Sequence, residues 1–252
     1  TTPGDLEMVA DQFELDDAWP VVAEPFTQWV VEDRFCNDRP DLESVGVQMT
    51  DDVHPYEMMK IRLLNTSHLL LGYLGSLKGY TYAHEAMADD QIRRTIAHLM
   101  DEVTPTLRPV PGVDIREYKQ TLVERFSNPK IRDQLARLCL NSSDKLPKFA
   151  LGSVRDVLKQ QGSIDYLGLT IAAWFRYLNG TDDQGQAIAI DDPMAETLTE
   201  RARSGREDPS SLLSLTEIFG DLPQSSRLVE TVTQHLHQLY EAGTEATLAK
   251  LL

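Results

Sequence analysis

Between Pro55 and Gly72 the chain has neither a proline nor a glycine, and Leu63, Leu64, Leu70 and Leu71, with Leu74 just beyond, recur at helical spacing. A segment of this kind folds as a helix with a broad buried side. Asp51 or Asp52 is the expected N-cap, Pro55 suits the first turn, and Glu57 complements the positive end of the helix dipole. Similar helix-length segments follow near 90–102, 115–126, 130–140, 149–160, 164–178, 193–203, 209–218 and 225–241, separated by Pro, Gly and Asn. The fold class this implies is mainly α, a multi-helical domain over residues 53–252.

The first fifty residues read differently. Val21-Val22-Ala23, Trp29-Val30-Val31 and Val45-Gly46-Val47 are short, β-branched or aromatic, and bounded by Pro, Asp and Asn, which is strand grammar. Three such strands make a poor independent sheet. Residues 1–52 are therefore read as a short β-containing arm that edges a sheet belonging to another domain, with 51–54 as the junction.

The long helix also carries a polar set. At about 100° per residue, with Lys60 at zero, Glu57 falls near 60°, His68 near 80° and Asn65 near 140°, on one side of the helix. An acid, an amine, an amide and an imidazole together make a proton-handling surface. Burial would disfavour the lysine's ammonium form, and a nearby carboxylate would favour it. Each residue also has a structural use: Glu57 and Lys60 as a surface pair, Asn65 as a backbone binder, His68 as a packed core residue.

Composition removes several function classes. With 24 basic and 40 acidic residues the net charge is −16, a field that repels phosphate backbones, so no nucleic-acid partner is expected. No apolar run approaches membrane-span length, so no membrane partner is expected. Two cysteines, Cys36 and Cys139, build no disulfide framework and fit a reducing cytoplasm. His235 and His237 are two apart on a helix and diverge, while His54, His84 and His98 lack companions at ligand spacing, so no metal is expected. Asn179 to Gly185 lacks the Glu that would complete a calcium loop and reads as a solvated turn. Tyr73, Tyr80 and Tyr82 read as packing residues.

The Pro55–His68 motif resembles the core motif of the polyol-specific long-chain dehydrogenases, the family of mannitol 2-dehydrogenase and fructuronate reductase. The resemblance extends through Ala23-Glu24-Pro25-Phe26, Gln28 to Asp33, Arg39-Pro40, Val45 to Gln48, Arg125 to Pro129, Lys145-Leu146-Pro147, Ala173 to Tyr177 and Asp192-Pro193. It implies a helical substrate domain of the 6-phosphogluconate dehydrogenase C-terminal type. It also implies that Lys60 is the general base, that Asn65 and His68 hold the reacting oxygen, and that Glu57 relays the proton to solvent. Arg137 and Lys145, eight apart, match a pair that contacts substrate hydroxyls in the mannitol enzymes, although Arg137 also fits a solvated helix face. Leu69 and Leu70 depart from the small polar residue that many relatives place after the histidine.

Such an enzyme uses NAD or NADP, held by a strand, a G-x-G-x-x-G turn and a helix. This chain contains no G-x-G. The resemblance thus implies a Rossmann-type N-terminal half as a partner domain, with cofactor-binding residues lying mostly there, and the start at Thr1-Thr2-Pro3 agrees. The implied function is a metal-independent polyol 2-dehydrogenase acting on a polyol or ketose, mannitol to fructose first among the candidates. Fructuronate reduction is the alternative within the class, and a non-catalytic helical interaction module is the alternative outside it.

Overall fold

The computed structural model describes all 252 residues. They fall into two compact units, Thr1–Asp52 and Val53–Leu252.

The first unit holds α1 (Pro3–Phe13) and two short strands, β1 (Val30–Glu32) and β2 (Gln48–Thr50). Thr2 caps α1, and Asp5 returns the bond to the Thr2 backbone, a capping box the strand-based reading missed. The strands pair in parallel, Val30 with Gln48 and Glu32 with Thr50. Of the three expected strands one is absent and one is displaced. Val21 to Ala23 has no regular structure, and Glu43–Val45 forms a short 3-10 turn that Gly46 ends at φ 87, so the second strand begins after Val47.

The second unit is helical throughout. Its first part comprises α2 (His54–Met59), a π-helical segment (Lys60–Asn65), α3 (Thr66–Leu77), α4 (Ala83–Ala88), α5 (Asp90–Val103), α6 (Ile115–Phe126) and α7 (Leu135–Cys139). Next come α8 (Ser142–Leu146), a second π segment (Pro147–Leu151), α9 (Gly152–Lys159) and α10 (Asp165–Leu178). It ends with α11 (Ala195–Gly205), α12 (Ser210–Leu213), α13 (Thr216–Phe219), α14 (Ser226–Glu241) and α15 (Gly243–Leu251). The core lies around α3 and α10, which pack on each other and are buried over most of their length.

Several boundaries differ from those read in the sequence, each for a physical reason. The first long helix has Val53, not an aspartate, at its N-cap, and it does not stop at Gly72. Gly72 and Gly75 lie inside α3 because α7 and α4 come too close for a side chain. A Cβ at Gly72 would meet Cys139 Sγ at 2.9 Å, and one at Gly75 would meet Leu135 Cδ1 at 2.6 Å and Ala86 Cβ at 3.0 Å. The helix ends where Gly79 adopts φ +82, with Gly79 N–H bonded to Ser76 O and Tyr80 N–H to Gly75 O. The helix expected over 130–140 shrinks to α7 because Arg132 turns the chain at φ 49, donating to the Tyr82 hydroxyl at 3.1 Å and stacking over its ring. Pro209 and Gly220 flank two single-turn helices in place of one over 209–218. The Asn179–Gly185 turn is more than solvated: Asp182 is buried, accepting from Gln184 and Gln186 N–H, and Asp183 accepts the Thr244 N–H at the start of α15. No helix is long and apolar enough to cross a membrane.

Candidate active site

The four residues chosen on the first long helix do not follow uniform α geometry. Lys60 to Asn65 is a π turn, bonded i to i+5, which brings residues five apart into register where an α-helix would splay them by roughly 140°. Lys60 Nζ consequently donates to Asn65 Oδ1 at 3.1 Å. Amine and amide face one point. Glu57, one turn earlier, turns to His54 Nδ1 at 3.7 Å with its carboxylate open to solvent. The burial anticipated for Lys60 does not arise within this chain, where it is exposed: the buried side of the helix is made by Tyr56, Met59, Leu63 and Leu64, and Lys60 stands off it.

His68 lies one turn further along, its ring tilted against Phe126 at 4.5 Å between centroids. Its pKa is pushed down to about 4, first by burial; Asp133 opposes the shift, and Arg137, Arg125 and Lys60 add to it. The imidazole is therefore neutral at neutral pH, and one ring nitrogen can donate while the other accepts. Lys60, Asp133, Arg125 and Arg137 thus all act electrostatically on one histidine.

Arg137 and Lys145 also come together. Asp133 holds the Arg137 guanidinium with two bonds of 2.7 and 2.6 Å and raises its pKa. Lys145 Nζ donates to Arg137 O and Leu138 O, and burial lowers its pKa. The backbone fixes this corner: Ala83 N–H bonds to Asp133 O at 2.8 Å, Leu135 N–H to Thr81 O at 3.0 Å, and Tyr82 bridges to Gln134. Gly72 and Gly75 let α7 approach the helix that carries His68.

The start of α8, which carries Lys145, is anchored from below. Asp192, itself buried, accepts from Ser142 Oγ at 3.0 Å, Ser143 N–H at 2.8 Å, Ser143 Oγ at 2.6 Å and Met194 N–H at 2.9 Å, and Trp174 Nε1 donates to Ser142 Oγ at 2.8 Å. Burial raises the Asp192 pKa, but these bonds outweigh it and the net shift is downward. Sequence reasoning missed Asp133, and it took Phe126 and Asp192 only as residues of the resemblance, with no part in this assembly. For Asp133 a signal existed, because it stands four residues before Arg137.

No group of three or more His, Cys, Asp or Glu side chains converges as a metal site would require. Nor does the second unit contain any strand, so nothing in it forms the strand, glycine turn and helix of a dinucleotide cradle.

The helical unit thus carries an amine bonded to an amide, a neutral imidazole and two further cations joined to each other. Comparison gives the family. The family described as Mannitol dehydrogenase C-terminal domain matches residues 52–240, and the chain belongs to it. Mannitol 2-dehydrogenase of Aspergillus niger is 45% identical over 257 residues, covering 100% of this chain and 53% of that protein. The enzyme of that name from Pyricularia oryzae is likewise 45% identical, with 100% and 51% covered. Among solved structures, the Pseudomonas fluorescens mannitol 2-dehydrogenase ternary complex with NAD and D-mannitol superposes with a TM-score of 0.92 at 45% identity, covering 100% of this chain and 51% of that one. A D-sorbitol dehydrogenase in substrate-free form gives 0.90 at 29% identity, with 98% and 51% covered. The chain spans about half the length of the curated relatives it matches.

Proposed function

We propose that this chain is the C-terminal, substrate-binding and catalytic half of an NAD-dependent mannitol 2-dehydrogenase that interconverts D-mannitol and fructose. The observation that carries the reading is the Lys60–Asn65 contact across the π turn, with neutral His68 beside it. In oxidation Lys60 Nζ accepts the proton of the C2 hydroxyl, and Asn65 and His68 hold the oxygen as its charge develops. Glu57, open to solvent, passes the proton on. Arg137 and Lys145 bind hydroxyls remote from the reacting carbon. The reverse reaction uses each group in the opposite sense.

The residues of this chain do not supply a dinucleotide cradle, and the cofactor's phosphates are assigned to an N-terminal Rossmann-type domain of the same protein. The first unit fits such a neighbour. Phe13, Trp19, Val21 and Trp29 stand 59–82% exposed there, large apolar surface of the kind that another domain covers. Two free thiols, one exposed and one buried, fit a cytoplasmic setting.

The test is a panel of polyols and hexuronates assayed with the full-length protein and both NAD and NADP. Turnover of D-mannitol with NAD supports the reading. Turnover restricted to hexuronates would move it to fructuronate reduction, and no turnover of any would favour the interaction module. The 252-residue chain by itself is expected to bind neither cofactor tightly; stoichiometric low-micromolar binding by calorimetry would overturn the division of labour.

A further inference from the structure

The two π segments meet, and one hydroxyl joins them. π-helical turns account for well under about 1% of residues and concentrate at functional sites as single bulges. This chain has two, Lys60–Asn65 and Pro147–Leu151, and they pack against each other. The second has a local cause: Pro147 removes a donor inside the continuous helix from Ser142 to Lys159, and the ladder resumes with a wide turn. The first contains no proline or glycine.

Thr66 supplies what the first lacks. It is fully buried, and its N–H closes the π turn on Ile61 O. Its hydroxyl lies 2.7 Å from Phe149 O, inside the second π segment, and 3.1 Å from Ile61 O. A hydroxyl has one proton to give, and the shorter bond, across to Phe149, takes the larger share. A second tie runs parallel: Arg62, within the first π segment, donates to Asp156 Oδ2 on α9 and to Thr106 O.

The placement bears on the chemistry. Asn65 immediately precedes Thr66, and Lys60 lies at the far end of the turn that Thr66 closes. Lys145 sits two residues before Pro147, on the helix that Phe149 belongs to. We propose that Thr66 is a positioning residue: its hydroxyl, bonded to Phe149 O, holds the wide turn that brings Lys60 to Asn65 and keeps that pair in register with the helix carrying Lys145. It touches no reacting atom. It acts by fixing where the amine and amide stand.

The kinetic part of the test rests on the dehydrogenase reading above, so a readout independent of activity accompanies it. In the full-length protein, Thr66→Val keeps the branched shape and removes the hydroxyl, and Thr66→Ser keeps the hydroxyl. Thr66→Val should lower kcat on D-mannitol by about ten- to a hundredfold through misplacement, with a smaller change in KM and NAD affinity unaltered. Thr66→Ser should recover most of the loss. Amide exchange at Thr66 should quicken in Thr66→Val and not in Thr66→Ser. Should the valine variant fail to fold, Thr66→Ala replaces it in every comparison.

A folded variant without the hydroxyl but with wild-type kcat overturns the proposal, as does equal impairment of the serine variant. Unchanged exchange at Thr66 overturns it even if no substrate is turned over. Wild-type protein inactive on every polyol counts against the dehydrogenase reading instead, and the exchange comparison still decides the lock.

Discussion

The Lys145 ammonium donates to the backbone carbonyl of Arg137 at 3.2 Å, and to that of Leu138 at 3.1 Å. Two cations eight apart in sequence are thus joined through the end of α7, where a positive charge also meets the negative end of the helix dipole. Lys145 braces the turn that presents Arg137, while Asp133 aims the guanidinium.

Removing either cation should therefore have different effects. Arg137→Ala deletes an ion pair whose guanidinium is exposed but whose Asp133 carboxylate is largely covered, and should cost about 1 kcal/mol in stability. Its effect should appear as a raised KM for polyol in the full-length enzyme. Lys145→Met should raise KM as well, and should also destabilise by about 1–2 kcal/mol because two helix-end carbonyls lose their donor. Steady-state kinetics and denaturant unfolding on both variants check this, and wild-type KM in both would remove the pair from substrate binding.

His68 sets a pH dependence of stability. Burial pushes its folded pKa down to about 4 from 6.5, so between these values the unfolded chain binds more protons than the folded one. Stability then rises with pH across that window and falls on acidification, and because the ring keeps partial exposure the contribution is at most about 3 kcal/mol. Unfolding free energies measured from pH 4 to 7 should show a steeper rise for wild type than for His68→Phe. Parallel curves would mean that the imidazole titrates as if in water.

Gly75 tests the packing that brings α7 to the site. An added Cβ would lie 3.0 Å from Ala86 Cβ, which cannot swing away, and 2.6 Å from Leu135 Cδ1, which can. Gly75→Ala gains helix propensity but overpacks this contact, with a net loss of about 1–3 kcal/mol. Leu135 opens α7, so a raised KM should accompany the lower melting temperature. A more stable variant with unchanged KM would show that α7 yields without moving Arg137.

Much of this was legible in the chain. The helices read at 115–126 and 164–178 form over Ile115–Phe126 and Asp165–Leu178, the first opened by Asp114, which accepts from Arg116 and Glu117 N–H. The misreadings share a cause: a local signal outweighed by a distant contact. Gly72 and Gly75 look like breakers until α4 and α7 are laid against them. The Lys60–Asn65 turn has no marker in hydrophobic spacing, which assumes a constant angle per residue, and its partner Phe149 lies far along the chain. Lys60, Asn65 and His68 were legible as a motif; that amine and amide touch was not, because α geometry puts them apart.

Lys60 carries the heaviest chemical claim, since it is the amine that faces Asn65 and acts electrostatically on His68. The proposed role as general base in polyol oxidation requires an unprotonated amine, so kcat/KM should fall as acid adds a proton to it. Lys60→Ala in the full-length enzyme should abolish that limb of the pH profile and lower the rate by about 10²–10⁴-fold, leaving NAD affinity intact. A small primary amine in the buffer should restore part of the activity. Asn65→Ala should keep the pH profile and lose about 3 kcal/mol of transition-state stabilisation, the cost of one oxyanion donor. It also removes the acceptor of the Lys60 bond, so the double variant should lose less than the sum of the single losses. Additive losses would mean that lysine and amide act separately. A folded Lys60→Ala enzyme with wild-type rate and pH profile would leave the reaction without its base.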